Sequence, residues 1–168
     1  MSNSVRLAMV QDNFLVGDIR GNARKIIELA QTAAGQGADL VVFPELALTG
    51  YPPEDLLCKP SFVQENVKEL KRIAAATKGI ASVVGFANKS GPTLFNAAAV
   101  IAHGMVRGVY NKMHLPNYGV FDEKRYFSSG DAACVLTIRG VPVGITICED
   151  IWSPAPARQA AIRGGIPA

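Results

Sequence analysis

VGITICEDIW, residues 143–152, decides how the rest of the chain is read, because an apolar β-branched run stops there at a cysteine followed by two carboxylates. Val143, Ile145 and Ile147 alternate with Gly144 and Thr146, the period of a strand with one buried face, and the spacing carries Cys148 to the strand's C-terminal edge. Open α/β sheets hold their ligands at the carboxyl ends of strands. Taken alone, a cysteine in that position reads first as a small buried hydrophobe. The weight therefore falls on what the other strands deliver.

Two other apolar runs end in a polar residue in the same way. Asp39–Phe43, DLVVF, stops at Pro44, which cannot donate to a continuing ladder, and Glu45 follows. Met105–Asn111 is followed at once by Lys112. Around these, Val5–Gln11 reads as a short strand. Asp18–Gly37 reads as a helix with Ile26, Ile27, Leu29, Ala30, Ala33 and Ala34 at helical spacing. Ser61 with Gln64 reads as a capping box opening a helix through Val63, Val67, Leu70 and Ile73 towards Gly79. Ser82–Ala87, Leu94–Ala102, Val135–Ile138 and Val141–Ile147 have the period of sheet, with turns at His103-Gly104 and Arg139-Gly140. Ser153 and Pro154 open a last helix through Arg158, Ala161 and Ile162 to Gly164-Gly165. Leu46–Pro60 and Met113–Asp131 are long for idle connections. Strand, helix, strand, helix and then adjacent strands predicts an α/β sandwich, one domain over residues 1–168, with helices covering a mixed sheet.

Composition narrows the function classes. With 168 residues, 49% of them hydrophobic and 18% charged, the chain buries one sizeable core. A net charge of +3, with the basic residues scattered, offers no nucleic-acid surface. MSNSVRLAMVQ lacks the layout of a signal peptide, and no apolar run approaches the roughly 18 residues of a membrane span, so a cytoplasmic protein without a membrane partner is expected. Cys58, Cys134 and Cys148 are odd in number, far apart and without CxxC spacing, which argues against a disulfide framework and against a metal site.

Glu45, Lys112 and Cys148 each follow an apolar strand, so a sheet that gathers those ends puts a carboxylate, an ammonium and a thiol in one pocket. A free thiol is only a few per cent thiolate at neutral pH and needs a base or a cation beside it. Glu45 supplies the base, and Lys112 supplies a cation for the thiolate and for the oxyanion formed on a carbonyl. These residue types suit acyl transfer from a C–N bond. Singly, each has an ordinary reading: a solvated loop charge, a surface lysine, a packed thiol. A Cys–His hydrolase has only His103, in a turn dipeptide, and His114, two residues past Lys112, to draw on; His114 is kept as a supporting group. A metal hydrolase lacks ligands at usable spacing. A binding module without catalysis would tolerate loss of the thiol.

FPELALTGYPPEDLL (43–57), NKMHLPNYGVFDEKRYF (111–127) and GITICEDIW (144–152) resemble three motif blocks of the nitrilase, or carbon–nitrogen hydrolase, superfamily. Within it they are similar to the glutaminase domains of glutamine-dependent NAD synthetases. The resemblance implies a nitrilase-like αββα sandwich. That sandwich is longer than this chain, so the resemblance implies a truncated glutaminase domain, incomplete at the C-terminus, with the departure at AAIRGGIPA and open sheet edges lowering its stability. By the same resemblance Glu45 is the general base, Lys112 steadies the tetrahedral intermediate and Cys148 becomes a γ-glutamyl thioester. Tyr118 contacts the glutamine, and Glu123 is a second carboxylate near Lys112, ranked after Tyr118 because Lys124 and Arg125 offer it simpler partners. Glu149 lends its backbone N–H to the oxyanion, whereas Asp150 and Trp152 are structural. The implied partners are L-glutamine, a C-terminal synthetase domain and further copies in a homo-oligomer. No cofactor is needed for the glutaminase step; ATP and Mg are implied for the synthetase domain, which amidates deamido-NAD and has no phosphate-binding loop in this sequence. The alternatives are an amidase of the same superfamily acting on another small amide, and a catalytically incompetent fragment.

Overall fold

The computed structural model describes residues 4–165. Residues 1–3, the start of MSNSVRLAMVQ, and 166–168, the end of AAIRGGIPA, lie outside the described residues. In chain order the elements are β1 (Leu7–Met9), α1 (Ile19–Gly35), β2 (Leu40–Val42), α2 (Pro60–Ala76), β3 (Ala81–Ser90), β4 (Thr93–Ala102), β5 (Met105–Asn111), β6 (Cys134–Ile138), β7 (Val141–Ile145) and α3 (Pro154–Arg163). β1 to β5 form one sheet in sequence order, parallel from β1 to β3 and antiparallel from β3 to β5. β6 and β7 form a separate antiparallel pair.

The side-chain alternation of β4 shows why the layers stack as they do. Ala97, Ala99 and Ile101 join a core with Ile19, Ala23, Ile26 and Ala30 of α1 and with Leu70, Ile73 and Ala74 of α2. Ala98 and Val100, on the opposite face, join Leu40, Val83 and Tyr110 against Ile145 and Ile147. Each fully buried Ile or Leu contributes about 1.5–3 kcal/mol, so the larger α1–α2 core dominates the fold. α3 closes the far side of β6–β7, where a Cβ on Gly144 would lie 2.8 Å from that of Ala160. The order helix, sheet, sheet, helix is the αββα sandwich that the resemblance implies, with two strands in the second sheet among the described residues. Leu7 and Met9 of edge strand β1 are 50% and 80% exposed. No helix among the described residues is long and apolar enough to cross a membrane.

Several local expectations change. α2 starts at Pro60, with Lys59 as its cap residue and no side-chain cap bond, so Ser61 and Gln64 form no capping box; proline's fixed φ opens the helix instead. Ser153 likewise makes no side-chain cap bond ahead of Pro154. In α3 the buried residues are Pro156 and Ala160, while Ile162 is exposed. β1 is shorter than Val5–Gln11 because only Leu7–Met9 pair with β2. β7 ends at Ile145, opposite Cys134, leaving Thr146 and Ile147 beyond the ladder. The first part of the Leu46–Pro60 loop is core, with Leu46, Ala47 and Leu48 all buried, and the later part holds a single 3-10 turn at Glu54–Cys58. The dipeptides His103-Gly104 and Arg139-Gly140 do close two-residue hairpins, both residues at positive φ, the backbone that matches strand twist.

Candidate active site

β2 runs out at Val42, the Phe43 N–H still donates to Val83 O at 2.9 Å, and Pro44 then ends the ladder. Glu45 sits on the turn that follows, with Leu46 in the left-handed region at φ 50°. That turn lies flat on β3 because residue 85 is glycine. A Cβ there would strike the backbone of Pro44, Glu45 and Leu46, and the Gly85 carbonyl accepts the Leu48 N–H at 3.0 Å. Gly85→Ala is therefore expected to lift the turn, costing about 1–3 kcal/mol in thermal melting. An unchanged melting temperature in the variant would show that the Glu45 turn does not need this seat.

Lys112 follows β5 and stays tied to β4, its N–H donating to Asn96 O at 2.8 Å. Its side chain is 0% exposed, and its Nζ donates to Glu45 Oε1 at 2.6 Å and to Glu123 Oε1 at 2.9 Å. Burial pulls the ammonium pKa down, but the charges and hydrogen bonds of the two glutamates outweigh it, so the pKa ends above its ordinary value. Burial pushes the Glu123 carboxyl up, against the hydrogen bond from Lys112. Tyr51 O–H donates to Glu123 Oε1 at 3.3 Å, and burial, followed by the Glu123 charge, holds that phenol well above its ordinary pKa. Lys112→Ala strands two carboxylates without their cation. A loss of about 3–5 kcal/mol is expected in chemical denaturation; an unchanged midpoint would mean that the carboxylates do not depend on the ammonium.

Beyond β7 the chain turns sharply, and Cys148 takes φ 42°, a conformation costly for any residue with a Cβ and concentrated at functional sites. Asp150 holds the turn. Wholly buried, it accepts Tyr110 O–H at 2.7 Å and Ile147 N–H at 3.0 Å on Oδ2, and the N–H groups of Met113 and His114 at 3.1 and 2.8 Å on Oδ1. One carboxylate thus straps the Cys148 turn to the chain just past Lys112. His114 contributes its backbone here. Burial and then the Glu45 charge raise the Cys148 thiol above its ordinary pKa and Lys112 pulls the other way, while Cys148 and Glu45 line the same cavity. The residue itself is exposed, so a ligand reaches the thiol in the cavity that Glu45 also lines.

Glu45, Lys112 and Cys148 come together, and Glu123 joins them as a direct partner of Lys112, ahead of Tyr118. Arg125, offered by the sequence as its partner, pairs with Asp55 at 3.1 Å. Tyr118 is 58% exposed, its O–H donating to Glu149 Oε2 at 2.9 Å and its ring packed edge-on against Phe121. It stands on the rim with the Glu149 carboxylate, the group the sequence reading passed over for the backbone N–H. Trp152, expected to be structural, is 82% exposed. Asn96 is the residue the sequence reading missed: its Nδ2 donates to Glu45 Oε1 at 2.6 Å and to Glu123 Oε2 at 3.1 Å. A lone amide inside the apolar run LFNAAAV was the available signal, since a buried polar group needs a partner. Among the described residues no group of three or more His, Cys, Asp or Glu is arranged to hold a metal ion.

Known proteins share this arrangement of elements. The carbon-nitrogen hydrolase family matches residues 6–165. A glutamine-dependent NAD+ synthetase of Xylella fastidiosa is 47% identical over 98% of this chain and 31% of its own length. That of Thermotoga maritima is 46% identical over 96% of this chain and 28% of its own. The solved structure of the Acinetobacter baumannii synthetase with ADP superposes with a TM-score of 0.87 at 42% identity, over 96% of this chain and 31% of that one. A mutant amidase from Nesterenkonia sp. AN1, with the acetamide moiety of fluoroacetamide added covalently at its active site cysteine, superposes at 0.83 and 31% identity, over 95% of this chain and 61% of that one. The chain thus spans about a third of the length of the curated relatives it matches. With the sandwich in place and the family match running over residues 6–165, the chain belongs to the carbon-nitrogen hydrolase family.

Proposed function

We propose that this chain is a glutaminase, releasing ammonia from L-glutamine for a synthetase part that amidates deamido-NAD. The observation that carries it is that Cys148 and Glu45 line one cavity, with the buried Lys112 ammonium bonded to the Glu45 carboxylate. The Cys148 proton passes to Glu45 as Sγ attacks the side-chain carbonyl carbon of glutamine. Lys112 and the backbone N–H of Glu149 stabilise the oxyanion. Collapse breaks the C–N bond, Glu45 returns the proton to the leaving nitrogen, and ammonia departs from a γ-glutamyl thioester. Water, deprotonated by Glu45, then attacks the thioester, releasing glutamate and restoring the thiol. Tyr118 and the Glu149 carboxylate, joined on the rim, meet the amino-acid end of the substrate. ATP and Mg enter only at the synthetase part, and no residue of this chain is given a role there. A homo-oligomer built on the sandwich, and the cytoplasm, where thiols stay reduced, belong to the same proposal.

A second reading, hydrolysis of a different small amide, is favoured by the likeness to the Nesterenkonia amidase, of which this chain covers 61%. An electrophilic glutamine analogue and fluoroacetamide, each followed by intact mass with Cys148→Ala as control, separate the two. A single Cys148-dependent adduct of the glutamine analogue, blocked by glutamine, is expected. Labelling by fluoroacetamide alone, without protection by glutamine, would move the assignment to the amidase reading. A folded chain that takes up neither would remove both.

A further inference from the structure

Asn96 lies wholly buried on β4, and its amide is used one-sidedly. Nδ2 donates to Glu45 at 2.6 Å and to Glu123 at 3.1 Å, whereas Oδ1 is buried without a hydrogen-bond partner. An asparagine retained for packing would satisfy its acceptor, because an orphaned buried polar atom is costly and each one calls for an explanation. Flipping the amide offers no relief, since the carbonyl would then face two carboxylates.

The charges around it supply the explanation. Among the described residues Lys112 is the one cation bonded to both Glu45 and Glu123, so two carboxylates share a single ammonium. The other groups facing the pair, the Tyr51 hydroxyl and the Cys148 thiol, bring no positive charge. Asn96 adds two donors without adding a titratable group. On Glu45 both Lys112 and Asn96 bind Oε1, and neither takes Oε2.

Accepting Glu45 as the general base of the proposed reaction, we infer that Asn96 is a positioning residue: a neutral clamp that pins Glu45 and Glu123 around one ammonium and leaves Oε2 of Glu45 for proton transfer. It comes from a strand interior rather than a loop, which fixes it more rigidly than the two carboxylates it holds.

Asn96→Ala and the nearly isosteric Asn96→Asp test this against wild type. The first measurement is a carbon-13 NMR titration of the glutamate carboxyls, with Glu123→Gln assigning the Glu123 resonance. Loss of a donor disfavours the ionised form, so the Glu123 midpoint is expected to rise by about one pH unit in Asn96→Ala, and at least as far in Asn96→Asp, where a donor becomes an acceptor. The second is glutamine hydrolysis, where kcat is expected to fall about a hundredfold, with its acid limb moved to higher pH and KM changed less than about threefold. Asn96→Asp, preserving volume, carries both measurements if the alanine variant does not fold. An unmoved Glu123 titration in a folded variant, or a loss confined to KM, overturns the inference. A titration that moves while wild type hydrolyses no glutamine upholds the clamp and removes the glutaminase assignment.

Discussion

Cys148→Ala is expected to abolish glutamine hydrolysis, with a loss on the order of 10⁴-fold or more in ammonia release, while leaving the fold in place. The size follows from the role: without Sγ there is no bond to form with the amide carbon, and only binding and oxyanion stabilisation remain to accelerate attack by water. The intact fold follows from the position. Cys148 is exposed and outside every core cluster, and Asp150, not the thiol, holds the turn. Removing one sulfur atom there should change stability by no more than about 0.5 kcal/mol. Rapid quenching with glutamine should give a γ-glutamyl adduct by mass in wild type and none in the variant. Wild-type ammonia release from Cys148→Ala would end the thioester mechanism.

Glu45→Gln should cost about 10²–10⁴-fold in turnover, the range for a positioned general base, and it carries a second signature with a definite sign. Glutamine keeps an Oε1 acceptor for Lys112 and Asn96 but carries no charge. The thiol pKa is raised first by burial and next by the Glu45 charge, while Lys112 lowers it. Taking the charge away removes the larger of the two carboxylate contributions and leaves only burial and the Glu123 charge against Lys112, so the thiol titrates at lower pH than in wild type. More thiolate is then present at neutral pH, and alkylation of Cys148 by iodoacetamide should become faster as amide turnover becomes slower. A merely structural glutamate would move both in the same direction. Parallel loss of alkylation and turnover would therefore remove the base assignment.

Much of the site was legible because three of its members share one local signal, an apolar strand that stops at a polar residue. Glu45 after DLVVF, Lys112 after MVRGVYN and Cys148 after VGITI need only strand period and breaker chemistry to be found. Glu123 was harder. In FDEKRYF its neighbours Lys124 and Arg125 offer a local ion pair, and only the path of the long loop turns its carboxylate inward to Lys112 instead. Asp150 was recognised as structural, yet its four hydrogen bonds run to residues as far as forty positions away in sequence, and no spacing rule finds those.

By itself the sequence determined an α/β sandwich of strands and covering helices, since side-chain period is a property of each strand and helix taken alone, and it determined which strand ends bear a carboxylate, an ammonium and a thiol; the αββα layering came with the resemblance of its motif blocks. The wording of its three motif blocks carried the family. Only the tertiary structure decided how those ends meet: that Lys112 is shared by two carboxylates, that Asn96 clamps both from the middle of β4, that Gly85 seats the Glu45 turn, and that Tyr118 stands on the rim with Glu149. These are contacts between distant segments. Their geometry is set by sheet register and by which side chains burial forces to find partners, and neither quantity is contained in any local stretch of residues.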